Sequence, residues 1–340
     1  MESWQEEFKQ SIKSHEALES FFNKSFPKTG YPILIPRSLA QRIREKGLDS
    51  PLGRQFLPTH EETSTEGLID PIGDHHQSPI SQIVHRYKNR ILFFPTQVCP
   101  VICRYCFRKN ELSTNDELFK SNFEKVLSYI REHEEIEEII FSGGDPLILS
   151  DEKIQSYLTK FSKISHIKYI RFHTRTPIIL PSRITETFCD MIKEFKTKFQ
   201  QIHLVVHANH RDEFTEENRE AIKKLRNHGI NLLSQSVLLK DINNSKEDLL
   251  ALINEFIKLD IRPYYLHHPD QVRGGLHFML SLEEGRKIYS TLRDELPGWA
   301  MPNYIIDIPG GEGKVNAYNP ETYHFSGHLL SKNGTKVPYL

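Results

Sequence analysis

The chain has 340 residues, 44 of them basic and 45 acidic, for a formal net charge of −1. That length allows one large domain or two average ones with a sizeable core, and the balanced charge leaves no global field for nucleic acid or a membrane surface. The start, Met1-Glu-Ser-Trp-Gln-Glu-Glu7, is acidic and lacks the apolar segment of a signal peptide, and no apolar run is long enough to span a bilayer.

Residues 1–30 predict one or two amphipathic helices, ended near Pro27 and Gly30. Residues 31–80 are dense in turn-forming pairs such as Tyr31-Pro32, Ser50-Pro51, Asp70-Pro71 and Ser78-Pro79. They predict an irregular segment that wraps another part of the molecule, with a helix near Ser38–Lys46. Within it, Asp74-His75-His76 reads as exposed loop polarity, because a loop Asp-His-His brings no second set of metal ligands.

After residue 85 the texture becomes regular. Short apolar runs at Ile91–Phe94, Glu138–Phe141, Tyr169–His173, Ile202–Val206, Leu232–Leu238 and Arg262–Leu266 predict strands. Helical patterns lie between them at Asp116–His133, Asp151–Ile164, Thr185–Phe199, Thr215–His228 and Lys246–Leu259, and a sixth, Ser281–Leu296, follows. Such alternation predicts an α/β fold with a parallel sheet and outer helices, either an open sheet or a partial barrel of six units. The expected organisation is a wrapping segment at 1–84, the strand–helix region at 85–296 and a C-terminal segment at 297–340. Nearly every strand hands over to polar residues at its C-terminal end: Ser142-Gly-Gly-Asp145, His173-Thr-Arg175, His207-Ala-Asn209-His210, Gln235 and His267-His268-Pro-Asp270. In (β/α) barrels the active site is built from those ends, and core packing does not explain so many polar clusters there.

Three of the four cysteines fall within eight residues after the first strand, Cys99-Pro-Val-Ile-Cys103-Arg-Tyr-Cys106. Three thiolates do not close a structural zinc site, but they suit an iron–sulfur cube with one iron left for a non-protein ligand. They must stay reduced, which makes the cytoplasm the expected compartment. Cys189, inside a helical pattern, reads as a buried apolar residue. Ser142-Gly143-Gly144-Asp145 ends a strand in a glycine pair, where backbone approaches a ligand closely. Near the C-terminus, Pro309-Gly-Gly-Glu-Gly313-Lys314 carries one lysine on a Gly-rich loop. The phosphate-binding pattern GxxxxGK[ST] is not met, since Val315 follows the lysine. A lysine on a pliant loop suits a Schiff base with pyridoxal phosphate (PLP).

Taken in order, CxxxCxxC, Ser-Gly-Gly-Asp, Gln235-Ser-Val-Leu-Leu239 and Pro-Gly-Gly-x-Gly-Lys resemble the lysine 2,3-aminomutase family of radical S-adenosylmethionine (SAM) enzymes, over residues 50–320. The resemblance implies a partial (β/α)6 barrel with a [4Fe–4S] cluster, SAM and PLP. It implies conversion of L-lysine to β-lysine through a 5′-deoxyadenosyl radical, with an external electron donor. It assigns Cys99, Cys103 and Cys106 to the cluster and Ser142, Gly143, Gly144, Asp145 and His207 to SAM. It gives the PLP linkage to Lys314 and other PLP contacts to Gln235 and to Arg86, Tyr87 and Arg90 of His85-Arg-Tyr-Lys-Asn-Arg90. Arg108 takes the substrate carboxylate, and Asp270 and Asp307 grip the ε-ammonium.

Two departures accompany the resemblance. Longer members carry a C-terminal cysteine cluster for zinc and assembly, which has no counterpart here, so zinc and oligomeric state stay open. Phe107 and Pro146 resemble the branch that makes β-lysine for elongation factor P, whereas Asp307–Lys314 resembles the enzymes of free-lysine metabolism.

Overall fold

In the computed structural model of the chain, which describes residues 3–112, 123–318, 327–330 and 335–339, each expected apolar run from residue 91 onward is a strand. The strands are β1 (Ile83–Tyr87), β2 (Arg90–Phe93), β3 (Glu138–Phe141), β4 (Tyr169–Thr174), β5 (Gln201–His207), β6 (Asn231–Val237), β7 (Arg262–His267), β8 (Asn303–Ile308) and β9 (Gly313–Asn316). They form one nine-stranded sheet in sequence order, β2 to β8 all parallel, with β1 and β9 antiparallel at the two edges. Among the described residues no ladder joins β1 to β9, so the sheet curls into a nearly closed barrel with a seam.

Helices return the chain between parallel strands. They are α1 (Phe123–Glu132) after β2, then α2 (Asp151–Phe161), α3 (Glu186–Phe195), α4 (Glu216–Asn227), α5 (Lys246–Lys258) and α6 (Leu282–Thr291). The first seven residues of the helix expected at Asp116–His133, 116–122, lie outside the described residues. Ser150, Thr185, Thr215, Ser245 and Ser281 cap α2 to α6, each hydroxyl accepting a backbone N–H of the first turn. Such caps are worth about 1 kcal/mol each.

Alternation along the strands separates two environments. Phe93 and Phe141 point outward onto α2, where Tyr157 and Phe161 close an aromatic cluster, and Phe172 stacks on Phe141. Leu92, Ile140, His173 and Val205 point inward and line a cavity. The wrapping segment contributes Ile12, Leu18, Ile33, Leu39, Phe56 and Leu57 to the same core as the barrel. It also backs the cysteine loop, through Ile102 N–H to Leu34 carbonyl at 3.0 Å and Arg104 N–H to Gln55 carbonyl at 2.8 Å. Cys189 is fully buried in α3, as an apolar residue would be. Among the described residues no helix is long and apolar enough to cross a membrane.

Candidate active site

A cavity of 260 Å³ opens at the C-terminal ends of the strands and brings together Cys99, Cys103, Cys106, Arg108, Gln235, Asp270, Asp307 and Lys314. Its two ends are built differently.

At the cysteine end, the loop after β2 is held from outside by a buried ion cluster. The Glu62 carboxylate, 2% exposed, receives Arg104 Nε at 2.9 Å to both oxygens and Lys109 Nζ at 2.7 Å. Lys109 Nζ also reaches the carbonyls of Arg104 and Gly274 at 2.8 Å, and burial pushes its pKa down to about 8. The two cations flank Cys106 in sequence, so the cluster fixes the loop that carries the thiols. Burial pushes the Cys99 thiol well above its ordinary value and Cys106 up to about 12. Left bare, these are protonated thiols; a bound metal centre supplies the positive charge that makes them thiolates. Among the described residues no three His, Cys, Asp or Glu side chains gather around a single ion position. A cubic cluster does not require that, because each thiolate takes a different iron and the sulfurs stand apart. The all-sulfur donor set therefore fits a cluster.

The β3 turn nests on this loop. Gly144 N–H donates to Thr96 carbonyl at 2.9 Å and Asp145 N–H to Val98 carbonyl at 2.8 Å. A Cβ on Gly143, whose φ is +102°, would stand 2.4 Å from the Thr96 carbonyl oxygen, and one on Gly144 2.1 Å from that of Val98. Both glycines are thus required by the approach of two backbones, a reason separate from any contact with SAM. The Asp145 carboxylate is fully engaged inside the protein. It accepts from Thr174 Oγ1 at 2.8 Å, from the N–H groups of Arg175 and Leu147 at 2.6 and 3.0 Å, and from Thr176 N–H at 3.1 Å. Its side chain ties β3 to β4 and has no capacity left for a ligand. His207 Nε2 pairs with the Tyr105 hydroxyl at 2.7 Å, and burial holds the imidazole neutral.

At the other end, Asp307 on β8 stands opposite Lys314 on β9 in the antiparallel register. Gly310, Gly311 and Gly313, all at positive φ, turn the chain between them. Lys314 Nζ lies 2.6 Å from both Asp307 oxygens, and its N–H donates to the Tyr87 hydroxyl at 2.8 Å. Arg86 Nη1 is 3.6 Å and His267 Nδ1 3.7 Å from Asp307. Burial pushes the Asp307 pKa up, but Lys314 and His267 outweigh it and hold the carboxyl well below the usual range. Asp270 has the opposite fate: burial, reinforced by the Asp307 charge, pushes it up to about 8.

Asp74 corrects the sequence reading. Expected as exposed loop polarity, it is 4% exposed and joins two of the arginines that line the cavity, Arg86 and Arg108. Its Oδ1 accepts from Arg86 Nη2 at 2.8 Å and its Oδ2 from Arg108 Nη2 at 2.8 Å. Proline-rich texture conceals burial, because irregular backbone shows no periodicity that separates an inner from an outer face. His75 and His76 are exposed as expected. Arg108 also donates to Ser142 Oγ at 3.1 Å and lies over the rings of Phe94 and Phe107. Arg90 stacks on Tyr87 at 3.8 Å. Gln235 Oε1, His173 Nε2 and His267 Nε2 are buried with no hydrogen-bond partner among the described residues. Unpaired polar atoms around a cavity are what a polar ligand satisfies.

These residues describe a radical SAM site, and the Radical SAM superfamily profile matches residues 93–253. The match extends further along individual relatives. The L-lysine 2,3-aminomutase of Escherichia coli K12 is 38% identical over 287 residues, covering 84% of this chain and 83% of that protein. That of Haemophilus influenzae is 35% identical, covering 84% of each. The glutamate 2,3-aminomutase of Clostridioides difficile is 36% identical, covering 80% of this chain and 64% of that protein. The chain belongs to the lysine 2,3-aminomutase family. It is a radical SAM enzyme of the aminomutase group; the superfamily works with a [4Fe–4S] cluster and SAM, and the lysine 2,3-aminomutases with PLP.

Proposed function

We propose that the protein converts L-lysine to β-lysine by moving the amino group between neighbouring carbons, with PLP held on Lys314. The observation that carries this reading is the pair of carboxyl groups, Asp307 and Asp270, beside Lys314 in the cavity that also holds the three cysteines. With its nitrogen taken up by the cofactor, Lys314 no longer neutralises Asp307. A substrate ammonium replaces that charge and draws Asp270 into its ionised form. A substrate carboxylate would add a third negative group to the same space.

The other roles are those the family resemblance suggests, given to residues that line the cavity. Cys99, Cys103 and Cys106 ligate the cluster. The Ser142-Gly143-Gly144 turn and His207 form the wall on which SAM lies. Arg86, Tyr87 and Arg90, two of them bearing the planar fork that suits phosphate, hold the PLP phosphate, with Gln235 at the ring. Arg108, aimed by Asp74, takes the substrate carboxylate between the two cofactors. PLP supplies electron delocalisation for the migrating nitrogen, SAM and the cluster supply the radical, and an outside donor supplies the electron. The chain itself binds, orients and excludes water. Anaerobic turnover with SAM and dithionite, offered L-lysine, L-glutamate and L-alanine in parallel, tests the assignment. Preference for lysine is expected; preference for glutamate refutes it and leaves the radical chemistry intact.

A further inference from the structure

One buried cation at the cysteine end has no part in the roles above. Arg175, just past β4, is 6% exposed and is held at both terminal nitrogens of its guanidinium. Its Nη2 donates to Gln55 Oε1 at 2.8 Å and to the Glu213 carboxylate, and its Nη1 to the Tyr105 hydroxyl and, at 2.9 Å, to Cys103 Sγ. Its own N–H is fixed on Asp145. Glu213 is held in turn by the N–H groups of Asn209 and His210 at 2.7 and 3.0 Å. The Arg175–Glu213 pair is internally neutral, so the arginine is not waiting for an anion. What it presents to the cavity wall is an N–H aimed at one sulfur. Among the described residues no side-chain donor reaches the sulfur of Cys99 or Cys106, and Cys106 is met only by the backbone N–H of Arg108, so Cys103 is the one thiol of the three that receives a charged side-chain donor.

We propose that Arg175 is a positioning residue that donates a hydrogen bond to the Cys103 sulfur when that sulfur ligates iron, and that this bond raises the reduction potential of the cluster. The inference rests on the proposed assignment of Cys103 as a cluster ligand. A donor at a ligating thiolate stabilises the electron added on reduction, and hydrogen bonds to sulfur are among the protein's means of setting cluster potentials. The wrapping segment contributes through Gln55, so the potential is set by contacts that span three parts of the chain.

The test uses reconstituted full-length protein as wild type, Arg175→Met and Arg175→Lys. Iron content, the midpoint potential from EPR-monitored titration, and SAM affinity by equilibrium binding are measured on each. The expected result is full iron, unchanged SAM affinity, and a midpoint potential that becomes more negative in Arg175→Met. Arg175→Lys, which keeps the charge and loses the planar fork, should shift less in the same direction. In deuterated buffer, pulsed EPR of the wild type should detect an exchangeable deuteron coupled to the cluster that Arg175→Met lacks. An unmoved potential with full iron overturns the proposal, as does a loss of SAM affinity alone, which would make Arg175 a SAM contact. Where Arg175→Met does not hold iron, an unmoved potential in Arg175→Lys together with no coupled deuteron in the wild type overturns it equally. A Cys103→Ala protein that keeps a complete cluster refutes the ligand assignment itself, a different result from any of these.

Discussion

The cysteine end of the cavity and the lysine end are charged in opposite manners. Around the thiols, Glu62 with Arg104 and Lys109, and Glu213 with Arg175, are buried, mutually satisfied and anchored to backbone on several elements. Around Lys314, one carboxyl is ionised by a lysine that a cofactor would engage, and its neighbour Asp270 keeps its proton to about pH 8. The first end is preset: its ion pairs stay as they are when ligands bind, and only the thiols have protons to lose. The second end holds ionisable groups whose charge depends on what occupies the cavity. A cluster demands fixed geometry; selection of a substrate by charge demands groups that respond to it.

Substitution of single ligands separates the two ends most sharply. Cys103→Ala should lose the cluster altogether while Cys189→Ala, on the far side of the barrel wall, keeps its iron; iron analysis and the reduced EPR signal decide it. Loss of the cluster in Cys189→Ala alone would show that the three-ligand reading is wrong. Lys314→Ala should keep the cluster and lose covalent PLP, and borohydride reduction with peptide mapping should place the label of the wild type on Lys314. A label on another lysine would move the second cofactor away from β9.

Smaller effects lie in the carboxyl pair. Asp307→Asn or Asp270→Asn removes one partner of a buried charged contact, a loss of about 2–5 kcal/mol, or roughly 30- to several-thousand-fold in lysine turnover. Iron and PLP content should hold. Undiminished turnover in both variants would leave the ammonium site without support.

The smallest effect is on stability. An acid whose folded pKa lies above its unfolded value is bound to more protons in the folded state over the interval between them. Asp270 therefore contributes stability that is present below pH 4 and lost as pH rises from 3.8 towards 8. The thermal midpoint of cofactor-free Asp270→Asn should fall less over that interval than the wild type's, and equal slopes would contradict the raised value. Ammonium binding at neutral pH should release a proton, measurable by calorimetry in buffers of different ionisation enthalpy.

The barrel was legible because parallel strands buried on both faces and helices capped by Ser or Thr each leave a period or a boundary in the chain. The gathering of Cys99, Cys103, Cys106, Asp270 and Lys314 in one cavity followed from the rule that barrel strands deliver their polar ends to one face. What sequence could not show was pairing between elements distant along the chain. In the sequence Asp307 and Lys314 read as having separate tasks, yet the β8–β9 register sets them against each other. In the sequence Asp145 reads with its glycines as a ligand contact, but four donors, from Thr174, Arg175, Thr176 and Leu147, engage its carboxylate. Glu62 sits in a one-turn 3-10 helix and Asp74 at the start of another, pieces too short for a period to tell a buried carboxylate from a solvated one.

The seam between β1 and β9 gives the barrel a direction of weakness. It is crossed by the Tyr87–Lys314 bond, the Arg86–Asp307 contact and the backbone approach of Gly73 to Gly311, where an added Cβ would meet Gly311 N at 2.3 Å. Every other neighbouring pair in the sheet is laced by a run of ladder bonds. Pried apart, the wall therefore yields along this line first, as a sleeve opens at its fastening and not through its cloth. The fasteners include the residues proposed to hold PLP, so a seated cofactor would add stitches of its own to the closure.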